Sequence, residues 1–176
     1  METHELLFAK VRPNAKIPTK TNENAGYDIY ACFDEDYLIL PSLETVLVPT
    51  GIASAMSDKY YAQIEERGST GSKGIKKSAG VIDSSYRGEW FIAITNCNNF
   101  PFIISKLSFE ELTQKYDTQI HDILFAHPAN IYPYSKAIAQ AVIHEVPKMA
   151  VKEIPYEELK MIPSQRGDGK LGSSGK

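Results

Sequence analysis

A chain of 176 residues, with 43% hydrophobic and 23% charged side chains, has the length and composition of one globular domain that needs no disulfide or structural metal to hold its core. Its formal charge of −3 excludes a global basic field that would attract nucleic acid, so any phosphate has to be met by a local site. The acidic opening Met1-Glu2-Thr3-His4-Glu5 is neither a signal nor a transit peptide, and no run reaches the length of a membrane span, so a cytoplasmic protein with no membrane contact is expected.

Short apolar runs with strand-like alternation recur in chain order at 6–11, 27–31, 38–40, 45–48, 60–64, 90–95, 100–104 and 138–146. Turn residues separate them, among them Asn24-Ala25-Gly26, Pro49-Thr50-Gly51 and Asn98-Asn99. No βα alternation occurs, and the cadence predicts an all-β chain, a distorted jelly-roll β-barrel. One helix interrupts it. Ser108 with Glu111 forms a capping box, Leu107 and Leu112 occupy the two positions of a hydrophobic staple, and a helix over about 109–119 is expected. A shorter helix is predicted after Pro155, where Glu157 and Glu158 suit a helix N-terminus. The reading is one domain over 1–164, then a flexible glycine-rich tail over 165–176.

Five segments carry candidate chemistry, and each has a plainer explanation when it stands alone. Asn24-Ala25-Gly26-Tyr27-Asp28 sets a carboxylate beside a glycine, which elsewhere would be a solvated turn acid. Arg67-Gly68-Ser69-Thr70-Gly71-Ser72-Lys73-Gly74 offers glycine amides, hydroxyls and cations to phosphate oxygens. It is not a P-loop, because the residue after the lysine is Gly74, and its plain reading is a mobile loop. Gly80-Val81-Ile82-Asp83-Ser84-Ser85-Tyr86-Arg87-Gly88-Glu89 reads as a β-hairpin bent at Arg87-Gly88, able to read a nucleobase through its peptide groups. Alone it would be an aspartate capping a tight turn over a packing tyrosine. Ala137-Ile138-Ala139-Gln140 ends on an amide, and Arg166 to Gly175 combines cations with four glycines that could wrap an anion or simply form a linker. Cys32, Cys97 and the histidines at 4, 121, 127 and 144 show no metal-ligand spacing.

In this order the segments resemble the motifs of the trimeric dUTP diphosphatases, from Ala25 to Gly175, with the first and third nearly unaltered. The resemblance implies a Mg²⁺-dependent homotrimer that hydrolyses dUTP to dUMP and pyrophosphate, limiting uracil incorporation into DNA and supplying dUMP. Its three active sites would each be assembled from all three chains. Carried over residue by residue, Asp83 is the general base for water, Gly80, Val81 and Ile82 read uracil, and Tyr86 lies beneath the deoxyribose. Arg67, Gly68, Ser69, Thr70 and Gln140 hold phosphate oxygens. Asp28 positions metal-bound water, the ion itself being held chiefly by substrate phosphates. Arg166, Gly169, Lys170, Leu171, Gly172 and Ser173 close over the triphosphate.

The chain also departs from the family pattern. Gly68 follows Arg67 where serine is usual, and Ser135-Lys136-Ala137 stands where Gly-Asp-Arg is usual. Leu171 replaces a phenylalanine that stacks on uracil, for which Phe91, Tyr132 or Tyr134 is expected to compensate. An insertion of about 107–135 separates the third and fourth motifs, as in some phage-type members that bind regulatory proteins. It implies either a regulatory partner or extra packing on the barrel. Two other functions compete: a nucleotide-sensing regulator acting through that insertion, and a dCTP deaminase. The deaminase needs a glutamate where Ala93 stands.

Overall fold

The computed structural model describes residues 5–124 and 130–169. Two compact units are resolved, Met1–Val146 and Pro147–Lys176.

The first unit is a jelly-roll-type β fold of twelve strands among the described residues. They are β1 (Leu6–Lys10), β2 (Gly26–Ile29), β3 (Tyr37–Leu40), β4 (Thr45–Pro49), β5 (Ile52–Met56), β6 (Tyr60–Glu65), β7 (Ile75–Lys77), β8 (Val81–Ile82), β9 (Phe91–Asn96), β10 (Phe102–Ser105), β11 (Ile131–Pro133) and β12 (Ala139–Glu145). They pair as four small sheets, in the orders β1-β5, β11-β10-β3, β2-β12-β6-β8 and β4-β9-β7. All four turn apolar side chains onto one core: Phe8 and Ile52 from the first, Leu40, Phe102 and Ile104 from the second, Ile29 and Ile64 from the third, Val48 and Ile92 from the fourth. Trp90, fully buried just before β9, is the largest side chain there, with Phe8 edge-on at 5.6 Å. A polar knot completes it. Asn96 is fully buried yet satisfied, donating to the Leu40 and Phe100 carbonyls at 2.9 and 2.8 Å and accepting from Asn98 N at 3.0 Å.

The eight strands expected from alternation are present, with ends shifted by one or two residues, and β8 falls where the first arm of the expected hairpin was placed, but β5, β7 and β11 were not anticipated. The stretch 80–90 is not a hairpin. β8 pairs with β6, and β9 pairs with β4 and β7, so the segment between them is a corner joining two sheets.

Between β10 and β11 lies the inserted helix α2 (Phe109–Leu124), about a turn longer than expected. The capping box forms as expected: Ser108 N donates to Glu111 Oε2 at 2.7 Å, and Glu111 N donates to Ser108 Oγ at 3.2 Å. Leu112, fully buried with Ile103, anchors a second cluster to which Leu107, Phe109, Tyr116, Tyr37 and Ile131 contribute. Lys115 Nζ and Tyr116 Oη both reach Asp36 Oδ2, at 2.5 and 2.7 Å, and tie the helix to the turn before β3. β11 then returns parallel to β10, with Ile103 opposite Ile131.

The second unit holds the predicted short helix α3 (Tyr156–Lys160) with Pro155 at its N-cap. Among the described residues, no helix is long and apolar enough to cross a membrane.

Candidate active site

Two clefts on the first unit take up most of the predicted site residues that fall on that unit, and sheet register explains the first. β12 runs between β2 and β6, so Gln140 lies opposite Asp28 on one side and Glu65 on the other. Arg67, two residues past Glu65, therefore meets Asp28: Nε to Oδ1 at 3.1 Å and Nη2 to Oδ2 at 3.4 Å. This two-pronged pair fixes the guanidinium plane. Arg67 Nη1 also donates to Ala137 O at 3.4 Å. Gln140 Nε2 donates to Glu66 O at 2.9 Å and holds the strand end in place. Gly26 makes room for that amide, since a Cβ there would collide with Gln140 Oε1.

After Arg67 the loop is a single helical turn, α1 (Gly68–Gly71), rather than an open nest of amides. Thr70 is buried and its hydroxyl donates back to Arg67 O at 3.1 Å, which turns it away from the surface. Ser69 is exposed and its Oγ lies 3.3 Å from Tyr132 Oη. Arg67, Gly68, Ser69, Lys136 and Gln140 together line a cleft of about 510 Å³. Of the candidate hydroxyls in this loop, Ser69 faces the cleft and Thr70 does not.

The second cleft, about 240 Å³, is lined by Val81, Ile82, Asp83, Tyr86, Glu89 and Phe91. β8 is the edge of its sheet, with β6 on one side, so its other row of peptide groups is open to a ligand. Gly80 lets β8 approach: its carbonyl accepts from Ile64 N at 2.7 Å, and a Cβ would stand 2.8 Å from Ile64 O. The chain then turns sharply, Tyr86 N donating to Asp83 O at 3.1 Å. Tyr86 folds over Gly88 and its hydroxyl donates to Glu89 O at 2.9 Å. Glu89 pins the corner from below, accepting from Gly51 N at 2.8 Å and from Arg12 Nε at 3.0 Å. That pairing raises the Arg12 pKa above its ordinary value, chiefly through the hydrogen bond to Glu89. Asp83 is exposed, and among the described residues its carboxylate takes part in no hydrogen bond or ion pair that would hold it away from a ligand.

Of the three aromatics expected to compensate for Leu171, only Phe91 lines this cleft. Tyr132 is buried behind the other one, its hydroxyl donating to Ala137 O at 2.7 Å. Tyr134 packs edge-on against Phe33 at 5.0 Å, and burial raises its hydroxyl pKa. The two clefts share no lining residue. Sequence reading missed Lys136 in the first cleft and the Arg12–Glu89 brace under the second. Lys136 falls within the stretch that breaks the motif pattern, and that break was the only sign of it.

In the second unit, Arg166 Nε donates to Gly169 O at 3.2 Å, and Gly167 takes a positive φ of 56° in the same turn. The predicted site residues Lys170, Leu171, Gly172 and Ser173 lie outside the described residues. Ala93 is a buried position on β9 that places no carboxylate at either cleft.

A sequence profile of the dUTPase family matches residues 13–108. Along nearly its whole length, 97% of this chain and 98% of the relative, the chain is 33% identical to the deoxyuridine 5′-triphosphate nucleotidohydrolase of Hydrogenobaculum sp.. The chain belongs to the dUTPase family. Its similarity to the Leptospira interrogans deoxyuridine 5′-triphosphate nucleotidohydrolase is higher but more local, 38% over 104 residues, covering 57% of this chain and 71% of that one. The dUTPase fold is matched in solved structures too. The dUTPase of Staphylococcus bacteriophage 80alpha, solved with dUpNHpp, superposes with a TM-score of 0.71 over 99% of this chain and 100% of that chain, at 21% identity.

Proposed function

We propose that this dUTPase-family chain hydrolyses dUTP to dUMP and pyrophosphate, with Asp83 as the general base that prepares water for attack at the α-phosphorus. The observation that carries the reading is the exposed Asp83 carboxylate, without a partner among the described residues, on the rim of the cleft that Tyr86 shares, at a corner braced by Glu89 and Arg12. A base must keep its lone pairs free for the water, and a braced corner holds it in one place. Uracil is read by the open edge of β8, whose fixed donors and acceptors leave cytosine with unpaired polar groups, a mismatch of roughly 10⁴-fold. Tyr86 lies beneath the deoxyribose, and Phe91 supplies the ring that Leu171 lacks.

Arg67, Ser69 and Gln140 hold phosphate oxygens, Arg67 through a guanidinium already oriented by Asp28. The residues fit a magnesium ion of the substrate-borne kind. Among the described residues no group of three or more His, Cys, Asp or Glu side chains could cage a metal. Asp28, with each oxygen accepting once from Arg67, keeps lone pairs that could accept from metal-bound water. When bound, Mg²⁺ neutralises the charge that gathers on the phosphate oxygens.

That the two clefts have no lining residue in common supports a site shared between chains of a homotrimer, one copy offering Asp83 and Tyr86, another Arg67 and Gln140. The insertion is read as packing, because Phe109, Leu112 and Tyr116 turn onto the barrel.

The test is incubation with Mg²⁺ and dUTP, dCTP or dTTP while pyrophosphate and ammonia are followed. Pyrophosphate from dUTP alone is expected. Asp83→Asn should lose about 10² to 10⁴ in kcat with binding largely kept. Mixing Asp83→Asn chains with Arg67→Ala chains should restore activity if the site is shared. Turnover by Asp83→Asn equal to the parent would remove the base assignment, and ammonia from dCTP would remove the substrate.

A further inference from the structure

In the larger cleft, Arg67 brings no net charge of its own. Asp28 meets it at 3.1 and 3.4 Å, so the pair is neutral as a unit and its main asset is a fixed donor geometry. Gly68, Ser69 and Gln140 are neutral, and the Gln140 amide nitrogen is engaged by Glu66 O. A triphosphate with about four negative charges, placed there by the reading above, would meet no net positive charge from these four residues. Lys136 completes the lining of the cleft, and it changes that balance.

Its side chain is exposed and forms no ion pair among the described residues. Its backbone, by contrast, is held on both sides. Lys136 N donates to Pro133 O at 3.0 Å, and the next carbonyl, Ala137 O, accepts from Tyr132 Oη at 2.7 Å and from Arg67 Nη1 at 3.4 Å. Ala137 itself is buried, so at this turn the lysine alone reaches into the cleft. The same hydrogen bonds that hold Ala137 O against the guanidinium therefore hold the turn that carries Lys136 at the edge of the cleft.

We infer that Lys136 is the residue that binds the pyrophosphate portion of the nucleotide, the β and γ phosphates of the substrate and the inorganic product after cleavage. The inference rests on the functional reading above for the orientation of the substrate, with the α-phosphorus toward Asp83 and the leaving group in the arginine cleft. An ammonium is a compact point charge with three donors and can follow the pyrophosphate as it departs, whereas the paired guanidinium stays fixed.

Lys136→Met keeps the stem and removes the charge; Lys136→Arg keeps the charge. Each is compared with the parent by calorimetric titration with magnesium pyrophosphate and with dUMP, and by kcat and KM for dUTP at two salt concentrations. Lys136→Met should weaken pyrophosphate binding and raise KM about tenfold, the weight of one charge-assisted contact at an exposed site. Lys136→Arg should recover most of both, dUMP affinity should not move, and the difference between parent and Lys136→Met should shrink as salt rises. Unchanged pyrophosphate affinity in a Lys136→Met protein that melts like the parent overturns the inference. An equal loss of dUMP affinity overturns it too, because the lysine would then act on the nucleoside side or on the fold. If the parent binds pyrophosphate through Lys136 but releases none from dUTP, the functional reading fails while the binding role stands. If the parent turns over dUTP and Lys136→Met does so with the same KM and pyrophosphate affinity, only the lysine role fails.

Discussion

Replacing Gly26 with alanine adds one methyl group, and the structure says where it would go. The new Cβ would run into Gln140 Oε1 and stand 2.9 Å from Gln140 Cβ and 3.0 Å from Cδ, so rotating the amide away does not relieve the contact. The strand has to shift or the glutamine has to leave. Overpacking of this kind costs about 1–3 kcal/mol. Loss of the Gln140 bond to Glu66 O adds about 0.5–1.5 kcal/mol. The smaller backbone entropy of alanine returns about 0.5–1 kcal/mol. The net destabilisation is about 2 kcal/mol, or about 4–8 °C in Tm for a chain of this size. Glu66 O is the carbonyl just before Arg67, so KM for dUTP should rise along with the fall in stability. Gly68→Ala is the matched control for stability, because its Cβ would meet nothing within 4 Å. The assay is thermal unfolding of the three proteins side by side, with KM measured for parent and Gly26→Ala. A Gly26→Ala protein that melts with Gly68→Ala, or keeps the parent KM, refutes the idea that this glycine exists to seat Gln140.

Two further outcomes are expected. Asp36 is held below its ordinary carboxylate value of 3.8 by hydrogen bonds from Lys115 and then Tyr116. A depressed folded-state pKa stabilises fully above the ordinary value and is lost as pH falls through the depressed one. The Tm gap between parent and Asp36→Asn should therefore be widest near neutrality and close below about pH 4; a gap that persists unchanged into acid would show that charge at Asp36 does not matter. Phe91→Leu should raise KM for dUTP about fivefold, equivalent to about 1 kcal/mol of ring contact, with little change in Tm because the ring is 43% exposed. An unchanged KM, or an analogue complex with a different ring over uracil, removes Phe91 from that role.

What could be read in the sequence was local. The capping box at Ser108 and Glu111 needs only four consecutive residues, and it forms as expected. Alternation in 45–48 or 60–64 is likewise a property of the strand itself. The corner at 80–90 looked like a hairpin because turn residues are local, whereas the partner of β8 is β6, chosen by the fold as a whole. β5 escaped because Ala53-Ser54-Ala55 alternates too weakly to show a face. Asp28, Arg67 and Gln140 could be named in advance but their adjacency could not, since it follows from β12 lying between β2 and β6. The inward turn of Thr70 depends on a single rotamer, and the place of Lys136 on a turn fixed by Tyr132, which no spacing rule encodes.

The parallel pairing of β10 with β11 changes what the 107–135 segment is. Parallel neighbours cannot be joined by a tight turn; the chain has to travel back to the starting end before the second strand begins, and α2 makes that journey. The segment is therefore a crossover woven into the sheet, and cutting it out would also remove β11 and the buried Tyr132 that steadies the Arg67 cleft. A binding partner lost on excision would say little about docking. Placing a lysine at exposed Glu110 and at exposed Gln114 leaves the weave intact and asks the question of the surface alone.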